Sequence, residues 1–114
     1  MKQKVQASNT LEDGAHNGVI ISLEYRTTPY KYTDVIIETK GKSGGLVNVK
    51  AGYPSIISPT SRMGLLLERF NCPLVVGEEI DPDKFLIGLQ CIFTTEPDGK
   101  YSKVKPETVT LRTS

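Results

Sequence analysis

One segment with helical periodicity stands among segments that alternate with the period of a β-strand. Residues 58–73, SPTSRMGLLLERFNCP, carry apolar side chains at the i, i+3, i+4, i+7 spacing of an amphipathic helix, namely Met63, Leu66, Leu67 and Phe70. Ser58 is placed to cap this helix, Pro59 to occupy its first turn and Asn71 to end it. Gly64 costs roughly 1 kcal/mol relative to alanine unless close packing requires a glycine there. The pattern predicts one helix of about three turns.

Three strand patterns precede this helix. Residues 18–26 alternate, and their predicted core face carries Val19, Ile21, Leu23 and Tyr25. Residues 30–40 alternate too, with Thr33, Val35 and Ile37 facing the core and Tyr30, Tyr32, Asp34 and Glu38 on the opposite face. Residues 46–53 follow a glycine-rich turn at 41–45, with Val47, Val49 and Ala51 on one face and Asn48 and Lys50 on the other.

Two more strand patterns follow the helix. Residues 85–95 place four residues on one face, which are Ile87, Leu89, Cys91 and Phe93. Gly88 inside this segment predicts a bulge or a barrel corner. Residues 100–112 are predicted to form the last strand, which is broken at Pro106 and closes the core with Val109 and Leu111.

A helix between the third and fourth of five strands is the connectivity of the OB-fold, a partly open Greek-key barrel. An SH3-like barrel is the alternative, but it would have no three-turn helix in that position. We therefore predict an all-β chain with one helix, folded as a five-stranded Greek-key OB-fold barrel in the order β-β-β-α-β-β. Because 114 residues suffice for one domain, we expect a flexible N-terminal tail at 1–13 and a single domain at 14–114.

The composition and the absence of complete catalytic motifs exclude several classes of function. The chain has 14 basic and 13 acidic residues, which excludes a histone-like polycation. No run of 18 apolar residues and no apolar leader is present, and Cys72 and Cys91 fit free thiols, so we expect a cytoplasmic protein. His16 is the one histidine, the GKS at 41–43 lacks the other residues of a phosphate-binding loop, and the acidic loop at 78–83 lacks EF-hand spacing. We predict no enzyme activity, no cofactor and no metal site.

The position of the charges favours a binding face. Residues 26–50 hold five basic residues against two acidic ones, residues 100–112 hold four against one, and residues 68–83 hold five acidic residues and one arginine. Tyrosines lie in both basic stretches, beside the predicted turns between strands 1 and 2 and between strands 4 and 5. In an OB barrel these turns flank the face of strands 2 and 3, on which oligonucleotides lie. Binding of a single strand needs cations for its phosphates and flat rings for its bases.

Three segments carry a resemblance to a known superfamily: LEDGAHNGVIISLEYR at 11–26, SRMGLLLERF at 61–70 and DPDKFLIGLQCIFTT at 81–95. The third is similar to a recurrent Asp-Pro … Leu-Ile-Gly-Lys … Phe pattern, with Leu89 in place of the lysine. Over residues 11–112 the chain resembles the OB-fold single-stranded nucleic-acid-binding superfamily, especially its small stand-alone members of archaeal or phage type. The resemblance implies single-strand binding through Tyr30, Lys31, Tyr32 and Lys50, and secondarily through Arg26, Lys100, Tyr101 and Lys103.

The leading hypothesis is a non-enzymatic module that binds single-stranded DNA, or RNA as the second choice, with little sequence preference. The alternative is a protein-interaction or assembly subunit built on the same barrel, with a protein partner or a second copy of itself. In that case the acidic loop at 78–83 and the exposed strand faces would contact other chains. Neither hypothesis involves a membrane.

Overall fold

Six strands form one antiparallel sheet in the part of the chain that the computed structural model describes, residues 14–41, 44–98 and 101–112. The strands are β1 (Gly14–Arg26), β2 (Tyr32–Lys40), β3 (Leu46–Pro54), β4 (Gln90–Asp98), β5 (Tyr101–Val104) and β6 (Thr110–Leu111). The helices are α1 (Arg62–Arg69), α2 (Pro82–Leu86) and a 3-10 turn (Pro106–Thr108). Neighbouring strands follow the order β3-β2-β1-β4-β5, and β6 pairs with β4. The predicted tail at 1–13 lies outside the described residues.

The predicted β-rich class is confirmed, but the predicted count of five strands and the order β-β-β-α-β-β are wrong. The segment 85–95 is divided, because Pro82–Leu86 is the short helix α2 and β4 begins only at Gln90. Gly88 therefore lies in the turn after α2 and not in a strand, and its φ of +94° is one that glycine adopts readily. The hydrogen-bonded path does not return from β5 to β3 among the described residues, although these two strands are in contact.

The predicted core face of β1 is wrong in its first half, because the strand contains a bulge. Ile20 pairs with Ile37 and Ser22 pairs with Ile36, so Ile21 is an extra residue without a partner in the register. An extra residue reverses the alternation on its two sides, and the buried side chains are therefore Ile20 and Leu23. Among the predicted core residues of this strand only Leu23 is buried, whereas the exposed ones are Val19, Ile21 and Tyr25.

The predicted core faces of β2 and β3 are confirmed. Thr33, Val35 and Ile37 are buried, and Ala51 is buried beside them. Val47 and Val49 are half-buried and pack against the same core. Strand β2 also buries Asp34 and Ile36 on its other face, since it lies between β1 and β3 in the sheet.

Helix α1 is shorter than the predicted segment 58–73. Its N-cap is Ser61, whose hydroxyl accepts the N–H of Gly64 at 3.0 Å, while Ser58 belongs to a turn that precedes the helix. The predicted end is confirmed, because Asn71 has a φ of +63° and the N–H of Cys72 donates to the carbonyl of Leu67 at 2.9 Å. The four predicted apolar residues are all buried: Met63, Leu66, Leu67 and Phe70.

The C-terminal segment packs across the end of β3. The predicted break at Pro106 is confirmed, since the 3-10 turn begins there and separates β5 from β6. The hydroxyl of Tyr53 donates to the carbonyl of Pro106 at 2.7 Å, and Nε of Arg69 donates to the carbonyl of Val109 at 2.8 Å. Val109 is fully buried, and Leu111 packs against the core. These contacts join β3, α1 and the C-terminal segment around one core.

Candidate nucleic-acid interface

The register places three of the predicted binding residues, Arg26, Tyr32 and Lys50, on one surface, the side of β1, β2 and β3 that faces away from α1. Arg26 pairs with Tyr32 and Tyr32 with Pro54, and two residues further along the sheet Glu24 pairs with Asp34. In the next rows Lys50 lies beside Ile36, and Asn48 lies beside Glu38. We call this surface the outer face, defined by Ser22, Glu24, Arg26, Tyr32, Asp34, Ile36, Glu38, Asn48 and Lys50. The register therefore puts Asn48 and Lys50 beside β2, on the side that carries Tyr32.

Arg26 is fixed in position at one end of the outer face. Its Nε lies 2.7 Å from Oδ2 of Asp34, and its Nη2 donates to Oδ1 of the same carboxylate at 3.0 Å. The guanidinium carbon lies 5.3 Å from the centre of the Tyr32 ring, within the range of a cation–π contact. The bidentate contact holds the guanidinium in one orientation, and Arg26 remains half-exposed while Asp34 is buried.

Lys50 occupies the middle of the outer face. Its Nζ lies 3.5 Å from Oε2 of Glu24, and both side chains are more than half exposed. An exposed ion pair at this distance is weak, because water and salt screen it and both side chains lose rotamer freedom. Lys50 can therefore leave Glu24 for a phosphate at little cost.

Tyr30 and Lys31 lie in the connection between β1 and β2. Strand β2 begins at Tyr32, so the prediction that Tyr30 and Tyr32 lie two apart on one strand is wrong. The carbonyl of Lys31 accepts the N–H of Ser55 at 3.1 Å, which ties the connection to the end of β3. Tyr30 is 72% exposed, so an aromatic ring is open to solvent two residues before β2 begins.

The second predicted basic stretch is not joined to the outer face by the sheet register. Lys103 lies on β5 and pairs with Glu96 of β4, with 3.6 Å between Nζ and Oε1. In the order of the sheet, β4 and β1 lie between β5 and β2. Tyr101 begins β5, but its side chain and the whole of Lys100 lie outside the described residues.

Tyr25 lies on the predicted core face of the first strand, but the structure leaves it at the surface, whereas Tyr53 at the end of β3 is buried. Tyr25 is 56% exposed at the end of β1, and its hydroxyl donates to Oδ1 of Asp83, next to the start of α2. Partial burial and the neighbouring Asp83 carboxylate raise the pKa of Tyr25 to about 12. Tyr25 therefore stays a neutral hydrogen-bond donor at neutral pH.

Three residues for which the sequence predicts no catalytic or metal-binding role either make structural contacts or are buried. The His16 ring stacks on Phe93 with 5.7 Å between ring centres. Asp81 caps α2 through the N–H of Lys84 at 3.4 Å. Cys91 is a buried free thiol, and burial raises its pKa to about 11.

Over residues 14–41, 44–98 and 101–112, no group of three or more His, Cys, Asp or Glu side chains could hold a metal ion. Over the same residues, no helix has the length and apolar character needed to cross a membrane.

A groove of about 490 Å³ lies where β1 leaves β2 and continues along β4. Lys40 and Arg112 both line it, together with Asn17, Val19 and Gln90. In the sequence these two cations belong to separate basic stretches, and no local pattern indicates that they meet. The two cations lie close together because the C-terminal segment pairs with β4, which is distant in the sequence. In this pairing the N–H of Arg112 donates to the carbonyl of Gln90 at 3.0 Å. No short-range sequence signal specifies this pairing.

No protein-family model matches this chain, and no curated protein matches it. Function is therefore inferred from the chemistry of the outer face and of the groove beside it.

Proposed function

We propose that the protein is a non-enzymatic module that binds single-stranded DNA, or RNA, with little sequence preference through its outer face and the connection between β1 and β2. The observation that carries the proposal is the Arg26–Tyr32 contact at the end of the outer face, together with the exposed Tyr30, which lies two residues before Tyr32 in the chain. Planar rings stack on bases of any sequence, and cations contact the phosphates between them. A surface of this kind recognises a single strand by the features that all nucleotides share.

The fold proposed for this module is an OB-type barrel, extended by α2 and β6. In support, β1 pairs with β2 from Gly18 to Arg26 and with β4 from Gly14 to Val19, so the two ends of β1 belong to different parts of the sheet. Helix α1 lies between β3 and β4 in the chain, and β5 contacts β3. In OB-folds the face of strands 2 and 3 is the surface that binds oligonucleotides.

Each side chain has a proposed role that follows from its surroundings. Tyr30 and Tyr32 stack on bases, Tyr30 from the connection and Tyr32 from the strand. Lys31 and Lys50 contact phosphates, since Lys31 has no ion pair with a described residue and Lys50 has only the exposed pair with Glu24. Arg26 adds a planar cation held in place by Asp34. Lys103 has a peripheral role, and Lys100 and Tyr101 stay predictions.

The proposal is tested by fluorescence anisotropy with labelled oligo(dT) across a salt series. Phosphate contacts by Arg26, Lys31 and Lys50 alone predict that log K falls against log salt with a slope of about −2, because each contact on a single strand contributes roughly −0.7, and every further contact makes the slope steeper. A duplex of the same length is the control and should bind more weakly, since its bases are not free to stack. The absence of binding at low salt would contradict the proposal, and so would binding that salt does not weaken.

A second candidate function, assembly through protein contacts, is favoured by one apolar region. Three exposed aliphatic side chains line a cavity of about 280 Å³, namely Ile57, Val75 and Val76, and Val76 is 87% exposed. Glu78 and Glu79 line the same cavity. Exposed apolar patches with a polar rim are typical of protein contacts.

Light scattering over a concentration series tests this candidate. Assembly into a dimer predicts that the molar mass doubles as concentration rises, and that Val76→Ser shifts the rise to higher concentration. The matched control is Leu65→Ser, which removes an exposed aliphatic side chain from α1, away from this cavity. A mass that stays at the monomer value at all concentrations would exclude self-assembly.

A further inference from the structure

The outer face continues without interruption into the groove that Lys40 and Arg112 line. Glu38 lies beside Asn48 on β3 and beside Val19 on β1, and Val19 in turn lies beside Gln90 on β4. The N–H of Arg112 then donates to the carbonyl of Gln90. One row of residues thus crosses the sheet from β3 to Arg112. Three strand spacings, about 14 Å along the sheet, separate Glu38 from Arg112.

The groove lies at the far end of β2 from the tyrosines. Tyr32 begins the strand and Lys40 ends it, so about 26 Å of extended chain lies between them at roughly 3.3 Å per residue. Lys50 stands between these two ends, because it pairs with Ile36 in the middle of β2. The cations along the face are therefore spaced from one end to the other. A strand of nucleic acid lying along β2 would meet Arg26, then Lys50, then Lys40.

The groove has the chemistry of a phosphate-contacting surface. Lys40 and Arg112 are exposed, and neither forms an ion pair with a described residue. Asn17 and Gln90 contribute amide groups that donate hydrogen bonds, and Glu38 is the one carboxylate among the lining side chains of this groove. Two cations against one carboxylate leave a net positive charge along this open groove, which attracts an anionic backbone.

We propose that this groove binds the phosphate backbone of the same single strand that stacks on Tyr30 and Tyr32, with Lys40 and Arg112 as its phosphate contacts. The inference rests on the proposed function and lengthens its site from one end of β2 to the other. Contacts to phosphates carry no sequence information and act through counterion release. Loss of these contacts therefore weakens binding to all sequences alike and makes it less dependent on salt.

The test is the double variant Lys40→Ala/Arg112→Ala, measured by anisotropy with labelled oligo(dT) and oligo(dA) of about 16 nucleotides, the upper end of the site size of one OB-fold. We expect roughly tenfold weaker binding to both oligonucleotides at low salt, and a salt slope that is flatter by about 1.4 because two contacts are lost. The matched control is Arg62→Ala/Lys84→Ala, which removes the same two residue types from α1 and α2. The control should bind as the wild type does, so that a general loss of charge is separated from loss of the groove.

The outcomes separate this inference from the proposed function. If the wild type binds and Tyr30→Ala/Tyr32→Ala weakens it, while Lys40→Ala/Arg112→Ala keeps both the affinity and the slope, the groove is not part of the site and the inference fails alone. Equal losses in the groove variant and in the control variant would also overturn it. If the wild type does not bind a single strand at low salt, the proposed function and the inference fail together. Thermal unfolding of each variant establishes that it is folded.

Discussion

Replacing Gly64 with alanine is expected to lower the free energy of unfolding by about 3 kcal/mol, the upper end of what overpacking costs. Helix propensity alone predicts a gain of roughly 1 kcal/mol for the same change. The sign is reversed because a Cβ on Gly64 would overlap the carbonyl oxygen of Ser58 and lie 3.1 Å from Oγ of Ser61. Neither group can move freely, since Oγ of Ser61 caps α1 and accepts the N–H of Ser58 at 2.9 Å.

Urea denaturation of the variant and of the wild type measures this difference. Glu68→Ala is the control, because it places an alanine on the exposed side of the same helix and should change stability by less than about 0.5 kcal/mol. A Gly64→Ala variant as stable as the wild type, or more stable, would mean that Ser58 does not hold its place against the helix.

The same glycine illustrates how far the sequence predicts this fold. The spacing of Met63, Leu66, Leu67 and Phe70 predicts the buried side of α1, because a helix repeats every 3.6 residues whatever surrounds it. The start of α1 is predicted wrongly, at Ser58 in place of Ser61, since the two residues are equally good caps by residue type. The turn that brings the Ser58 carbonyl against Gly64 distinguishes the two, and residue type does not specify that turn.

Strand patterns predict a face only while the strand stays regular. The alternation in β2 predicts Thr33, Val35 and Ile37 correctly, because β2 pairs with β1 and β3 along its whole length. In β1 the run Val19-Ile20-Ile21 offers apolar side chains to both faces, so alternation alone cannot locate the extra residue of the bulge. The strand prediction for residues 85–89 is wrong for another reason. Asp81 and Pro82 are start signals for a helix, and they outweigh a strand pattern of only a few residues.

The candidate site also has one part that the sequence predicts and one part that only the structure adds. Arg26, Tyr32 and Lys50 are predicted together because they lie on neighbouring strands joined by short connections, and the register brings them to one face. Arg112 is added only by the structure, since β6 pairs with β4 and not with its neighbour in the sequence. A pairing between distant segments leaves no trace in local periodicity, so the groove could not be predicted from a single sequence.

Replacing both Tyr30 and Tyr32 with alanine is expected to weaken binding of single-stranded oligo(dT) by at least roughly thirtyfold. Each base–aromatic stack contributes about 1–3 kcal/mol, and the two rings come from different elements, so both losses apply. Tyr32→Ala also removes the surface on which the Arg26 guanidinium rests. Anisotropy titrations at low salt measure the loss, and thermal unfolding checks that the double variant is folded.

Two matched variants separate stacking from other effects of the tyrosines. Tyr30→Phe/Tyr32→Phe keeps both rings and removes only the hydroxyl groups, so its affinity should stay within about threefold of the wild type if stacking is the contribution that matters. Tyr25→Ala removes an exposed ring whose hydroxyl is bound to Asp83 near α2, away from the Arg26–Tyr32 contact, and should leave binding unchanged. An alanine double variant that binds as tightly as the wild type would contradict the proposed site. A phenylalanine variant as weak as the alanine variant would assign the effect to the hydroxyl groups, because a flat ring alone would then not suffice to hold a base.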